Sequence, residues 1–237
     1  MSAARSSRDV GGYRNSAPFF AVLMLLAIPA FWPSYLNVEK VERDFHVHLH
    51  GATLLLWGMM LVVQPWLIYR GQWNLHRALG KTSYVLAPLV VVSTLLLANH
   101  RLKQQITPEQ IYFFYVQIGL TALFALAYTQ AIRNRRWPVV HARYMICTGL
   151  TLFDPIVARL LFFFGGMGVP EIQVVTYATI DAILLYLWKR DRDSGKDIQV
   201  FPRMLTAFVV MQVPTFFLYK TTAWLAFTQW FAALPLP

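Results

Sequence analysis

The chain is short of charge and nearly without cysteine. Charged residues make up 14% of its 237 positions, against about 25% in ordinary soluble domains, which excludes a conventional water-facing surface. Its single cysteine, Cys147, excludes an internal disulfide and a metal site built from thiolates alone. Because Cys147 lies inside an apolar run, it reads as a small buried hydrophobe. Acids are scarcer than bases, 11 against 21. The net charge of +10 would suit nucleic acid, but the basic residues fall in short loops between apolar runs, so no nucleic-acid partner is expected. What the chain has in quantity is apolar side chain: 57% hydrophobic residues, 8 Trp, 17 Phe and a mean hydropathy of +0.46. This is the composition of a membrane protein.

A helix needs roughly 20 apolar residues to cross a bilayer. Seven stretches qualify: Ala17–Tyr35, His48–Tyr69, His76–Ala98, Ile111–Ile132, His141–Phe164, Ile172–Trp188 and Met204–Phe231. The last is long, and Pro214 is expected to kink it. The connections are short and polar, with no repeat, no low-complexity tract and no room for a soluble domain. The predicted fold is therefore all-α, an integral membrane bundle of seven transmembrane helices over residues 17–237, preceded by a tail at 1–16.

Lysine and arginine placement sets the expected orientation. Arg5, Arg8 and Arg14 lie in the tail, Arg70, Arg77 and Lys81 in the second connection, and Arg133, Arg135, Arg136 and Arg143 around the fourth. Lys189, Arg190, Arg192, Lys196 and Arg203 belong to the sixth. With seven spans all of these share one side, and only Lys40, Arg43, Arg101 and Lys103 face the other. The N-terminus is then cytoplasmic, the C-terminus external, and the expected location a bacterial inner membrane with the lipid bilayer around it. The first run is followed by Trp32-Pro33 and lacks a clear small-x-small cleavage site, so it reads as a retained span and not a signal peptide.

His46, His48 and His50 alternate at the entry to an apolar run, Gly51–Tyr69, whose one strongly polar side chain is Gln64. On a helix His46 and His50 share a face and can chelate one ion, while His48 points away. In an extended segment all three share a face. Glu42 and Asp44 precede them and suit carboxylates that orient an imidazole. A third ligand can come from Asp154, or from His100 at the external end of the third run. Two imidazoles and a carboxylate suit zinc or iron with open positions, and copper falls in the same range. The alternative is that these histidines are merely solvated at the membrane surface.

Further ionisable groups fall within the runs, where they are costly and mark cavities or helix pairs. At about 1.5 Å per residue, Asp154 lies about 20 Å from the cytoplasmic end of its run, and Asp181 roughly 12 Å below the external boundary. Arg159 and Lys220 also fall in the external half. If the helices close on one another, these groups form an external polar pocket with His50, in which Asp154 and Asp181 are the candidate catalytic proton acceptors. Gln64, Arg159 and Lys220 are further pocket residues. Two acids and two bases also balance as structural ion pairs, and Lys220 can snorkel to the surface.

A second cluster lies on the opposite side. His76 opens HRALG and His141 opens HARYM, each followed closely by an arginine, Arg77 or Arg143. Two facing imidazoles beside arginines suit a b-type haem, with the arginines on its propionates. His50 and His100 would by the same logic hold an external haem, giving electrons a path across the bilayer. Interfacial anchoring to lipid headgroups is the plainer alternative.

Taken together, H-G-x(5)-W from His50, Gln64-Pro65, HRALGKTSYVLAP from His76, HARYM with Met145, and Arg159 resemble a family of predicted bacterial polytopic membrane proteins without an established activity. The likeness covers roughly Phe45 to Leu161. It implies a shared architecture and a polar pocket. One departure is that Tyr84 falls four residues after Gly80, and His46, His48 and His100 lie outside the pattern. Similarity to di-haem membrane cytochromes and to seven-span zinc hydrolases is looser.

Three functions follow as expectations. The first is a membrane oxidoreductase or electron-transfer protein with a histidine-held metal (iron, copper or zinc) or haem b, working with a quinone. The second is an intramembrane zinc-dependent hydrolase acting on a lipid, in which zinc lowers the pKa of bound water and Asp154 or Asp181 accepts the proton. The third is a proton-coupled transporter or an accessory subunit of a membrane-protein partner. The first is preferred.

Overall fold

The computed structural model describes residues 16–37, 44–196 and 198–237, which are helical almost throughout. The tail before Ser16 lies outside the described residues, as do Lys40, Glu42 and Arg43. Helix α1 (Ala17–Phe31) runs into a π-helical turn at Trp32–Leu36. Pro29 and Pro33 remove amide donors in that stretch, and the hydrogen-bond ladder widens there. Helix α2 (Phe45–Tyr69) follows, then a short helix α3 (Trp73–Gly80) and the long helix α4 (Ser83–Gln104).

The expected span His76–Ala98 is thus divided. Thr82 Oγ1 donates to the Leu79 carbonyl at 2.7 Å and Ser83 Oγ to the Gly80 carbonyl at 2.6 Å. These local bonds compete with the helical ladder and turn the chain between α3 and α4. His76 therefore sits on a separate short helix, with α4 beginning seven residues later at Ser83.

Helices α5 (Pro108–Arg133), α6 (Pro138–Gly165) and α7 (Val169–Asp193) are long and antiparallel in sequence order, each with proline in its first turn. Proline is suited to that place because the first amides of a helix have no intrahelical acceptor. Helix α8 (Val200–Gln212) gives way to 3-10 turns at Val213–Phe216 and Leu218–Lys220. Thr221 is extended, at ψ 149°, and its hydroxyl caps helix α9 (Thr222–Ala232) by accepting from the Trp224 amide at 3.2 Å. Pro214 does break the last run, but the chain does not resume its course. Met204–Phe231 is not one span.

Six helical stretches are long and apolar enough to cross a membrane: Ala17–Leu36, Phe45–Tyr69, Ser83–Gln104, Pro108–Arg133, Pro138–Gly165 and Val200–Lys220. The protein is a multi-pass helical membrane protein by these lengths and compositions. The expected run Ile172–Trp188 lies within α7, which reaches 25 residues. Glu171, Gln173 and Asp181 keep it below the apolarity of the other six.

The core is built on side chains with essentially no exposure, among them Trp57, Cys147, Leu150, Leu184 and Phe208. Trp57 meets Phe124 edge-on, with ring centroids 4.9 Å apart, and its indole N–H donates to Thr148 Oγ1 at 3.3 Å. Helix α1 docks where glycine clears the way: the Phe20 ring fills the space a side chain at Gly149 would need. Helix α9 lies over one end of the bundle. Trp224 Nε1 donates to the Ile111 carbonyl at 3.3 Å, and Asn99 Nδ2 to the Phe231 carbonyl at 2.6 Å. This end also holds the start of α2 and the close of α4; it is called the histidine end below, and the other the arginine end.

Candidate metal centre

The helix start of α2 explains the first half of the site. Asp44, at φ −96° and ψ 126°, is the N-cap: its Oδ1 accepts from the His46 amide at 2.7 Å. A carboxylate suits that position because the first amides lack acceptors and the helix dipole favours negative charge. The cap folds the His46 ring back onto the same oxygen, with Nδ1 3.0 Å from Oδ1. Helix α4, antiparallel to α2, brings His100 from 54 positions further along, and the second Asp44 oxygen meets His100 Nε2. The two imidazoles stack with centroids 4.4 Å apart and planes 19° from parallel.

Asp44, His46 and His100 therefore present three ligand atoms within 4.8 Å of one another, all partly exposed. Burial, the largest single influence, raises the Asp44 carboxyl, but the His46 amide and ring, then the charges of His100 and His46, together outweigh it and hold the group below the usual carboxylate range. Gln104 Nε2 lies 2.8 Å from His100 Nε2. The segment after α9 passes over the cluster: Lys103 Nζ donates to the Leu236 carbonyl at 2.9 Å, and His46 Nε2 is 2.8 Å from the Pro237 carbonyl.

The other two histidines of the triplet point elsewhere. His48 Nδ1 is 3.0 Å from the Tyr35 hydroxyl on the π-helical turn. His50 turns inward, its Nδ1 3.3 Å from Thr94 Oγ1 on α4. Helical spacing places His46 and His50 on one face, but the cap draws the His46 ring back toward Asp44, and the ion-binding group gathers around His100.

Among the described residues the intramembrane charges form no ion-paired cluster, although the charge of Arg159 is felt at both Asp154 and His50. Asp154, 4% exposed, accepts from Gln173 Nε2 at 2.8 Å, and Tyr112 OH donates to Gln173 Oε1 at 2.8 Å. This chain ties α5, α6 and α7 together. Asp181 accepts from Gln212 Nε2 at 3.1 Å. Arg159 donates to the Pro155 carbonyl at 2.9 Å and lies 4.4 Å above the Phe31 ring centroid. Lys220 is exposed, its Nζ 5.4 Å from the Tyr219 ring centroid. Among the described residues no salt bridge joins these four groups. Each acid is bonded to a glutamine, and Arg159 acts on Asp154 through its charge without a direct bridge.

At the arginine end each of the two expected haem ligands bonds protein through its Nδ1. His141 Nδ1 donates to the Ala131 carbonyl at 2.9 Å. The Gln64 amide, with its nitrogen toward α3, donates to His76 Nδ1 and, at 3.2 Å, to the His76 carbonyl, and accepts from the Gly80 amide at 3.1 Å. Burial, then the nearby His141 and Arg77, hold His76 below the usual imidazole range. Arg77 donates to Asn74 Oδ1 at 2.6 Å. Arg143, which the sequence reading places on a haem propionate, is wholly buried. Its Nε and Nη2 each donate to an Asp191 oxygen at 2.6 Å, and its Nη1 to the Val139 carbonyl at 2.7 Å.

Sequence reasoning treats Asp44 as an orienting group and overlooks Gln173, Tyr112 and Asp191. Only Asp44 leaves a signal, a capping carboxylate two residues before a histidine. Neither a family model, nor a curated protein, nor a solved structure matches this chain.

Proposed function

We propose that this protein holds a transition-metal ion at Asp44, His46 and His100, on the external side of a bacterial inner membrane, and acts through it as an oxidoreductase. The observation that carries the reading is the convergence of two imidazoles and a carboxylate within 4.8 Å. Three protein ligands on one side of an ion leave its other positions open, a donor pattern that serves iron(II), copper and zinc alike. The cluster is partly exposed at the end of an apolar bundle, where a quinone held in the bilayer edge can approach and a membrane redox partner can exchange electrons. The basic connections at the opposite end support the external placement of the histidine end.

Zinc-dependent lipid hydrolysis shares this donor set but needs a proton acceptor. The acids proposed for that role, Asp154 and Asp181, are bonded to Gln173 and Gln212, and neither belongs to the histidine cluster. The redox reading needs no such base and is preferred.

The test is metal analysis with an absorption spectrum on protein purified without chelator. Stoichiometric iron or copper is expected, lost in His46→Ala and His100→Ala and retained in His48→Ala and His50→Ala. Stoichiometric zinc would favour the hydrolase reading. Folded protein that takes up none of the three metals would remove the site.

A further inference from the structure

The arginine end carries a surface that the metal reading does not use. No residue of helix α3 is fully buried, and its bonds to the bundle run through Gln64 to His76 and Gly80 while its other face is open. Trp73 and Leu75 are 42% and 52% exposed on it. Trp66 and Trp137 are exposed on either side, and Arg70 lies 5.5 Å from the Trp66 ring centroid. The α2–α4 and α5–α6 connections adjoin: Ser83 Oγ is 3.0 Å from the Tyr128 hydroxyl, and the charge of His141 is felt at His76.

Together the two connections expose Arg70, Arg77, Lys81, Arg133, Arg135 and Arg136. Between Asp44 and Asp154 the only acid is Glu109, at the other end of α5. In the following connection Asp191 is taken up by Arg143, and Asp193 is exposed. Six exposed cations thus lie at one end of the bundle with no carboxylate in their own connections, near exposed indole and leucine side chains. Indoles favour the headgroup level of a bilayer, and a polybasic surface there attracts anionic lipid.

We propose that α3, its flanking turns and the Arg133–Trp137 connection form a binding site for anionic phospholipid. The lipid phosphate and its headgroup charge meet the arginines, while Trp73, Leu75 and Trp137 enter the acyl boundary. Helix α3 then lies in the plane of the interface, and its lack of buried residues follows, because lipid covers its apolar face.

The experiment measures lipid retention by the full chain in nanodiscs and by native mass spectrometry, with a chelator present so that metal loading plays no part. Phosphatidylglycerol should be retained at least about tenfold better than phosphatidylcholine, with the preference falling as salt rises. The variant Arg77→Gln/Arg135→Gln/Arg136→Gln should lose that preference, whereas Lys103→Gln at the histidine end should keep it. Should the triple variant not fold, Arg135→Gln alone should reduce the preference by several fold. Equal retention of the two lipids by the unmodified chain would overturn the proposal. So would an undiminished preference in the folded variants, or displacement of the lipid by inorganic phosphate at equal concentration.

Discussion

Replacing Arg143 by methionine should be among the most damaging single changes in this protein. The guanidinium is 0% exposed and its partner carboxylate, Asp191, 3% exposed, joined by two bonds of 2.6 Å. Those exposures decide which magnitude applies. An exposed pair contributes about 0–1 kcal/mol, but removing one member of a buried pair strands the other charge and costs about 3–5 kcal/mol. Arg143→Met also releases the Val139 carbonyl, which Arg143 Nη1 binds at 2.7 Å. The expected loss is therefore about 3–5 kcal/mol, roughly two to four powers of ten in the folding equilibrium. Asp191→Leu should cost a similar amount. The double variant should lose far less than the sum, because it leaves neither charge behind. Reversible denaturation in mixed micelles measures all three. Single variants within about 1 kcal/mol of the parent, or a double variant equal to the sum, would refute the argument that burial governs this pair.

Other consequences can be measured independently. Gly149→Val places a side chain where the Phe20 ring sits, and overpacking of this kind should cost about 1–3 kcal/mol; an unchanged midpoint would show that α1 moves freely. Asp154→Asn keeps an acceptor for Gln173 and should fold within about 1 kcal/mol of the parent, whereas Asp154→Leu should lose about 1–3 kcal/mol; equal stabilities would deny the bond a structural role. His76 is held below its ordinary value of 6.5 by burial, then His141 and Arg77. The folded state thus binds its proton less readily than the unfolded one, and the His76 contribution is full above pH 6.5 and lost as pH falls below it. Thermal scans between about pH 8 and 5.5 should show this decline, flattened in His76→Gln; identical profiles would contradict it.

The parts of the fold legible in the sequence were those that hydropathy alone determines. Helices α2, α5 and α6 begin and end within a few residues of their apolar runs, because their caps and first-turn prolines fall at the edges of those runs. The boundary between α3 and α4 was hidden because the bonds that turn the chain, from Thr82, Ser83 and Gln64, are invisible to an average over apolarity. The same averaging joined α8 to α9 across Thr221. At the candidate site, His46 and His100 were visible as residue types at a membrane boundary. Their convergence depends on the antiparallel register of α2 and α4, and the choice of His100 over His50 depends on the cap at Asp44. The pairing of Arg143 with Asp191, 48 positions away, was not legible because Asp191 read only as part of a charged run.

The last turn of α4 does two jobs within five positions: His100 offers a ligand, while Asn99 and Lys103 hold the carbonyls of Phe231 and Leu236. His46 is held from the same side by Pro237. Under the proposed function, ion uptake and seating of the segment 231–237 would draw on neighbouring side chains of one helical turn and on His46, and so be coupled. Linkage makes that coupling reciprocal. On that proposal, a ligand or antibody that grips the segment would change the affinity of the cluster for an ion by the same factor by which the ion changes the grip.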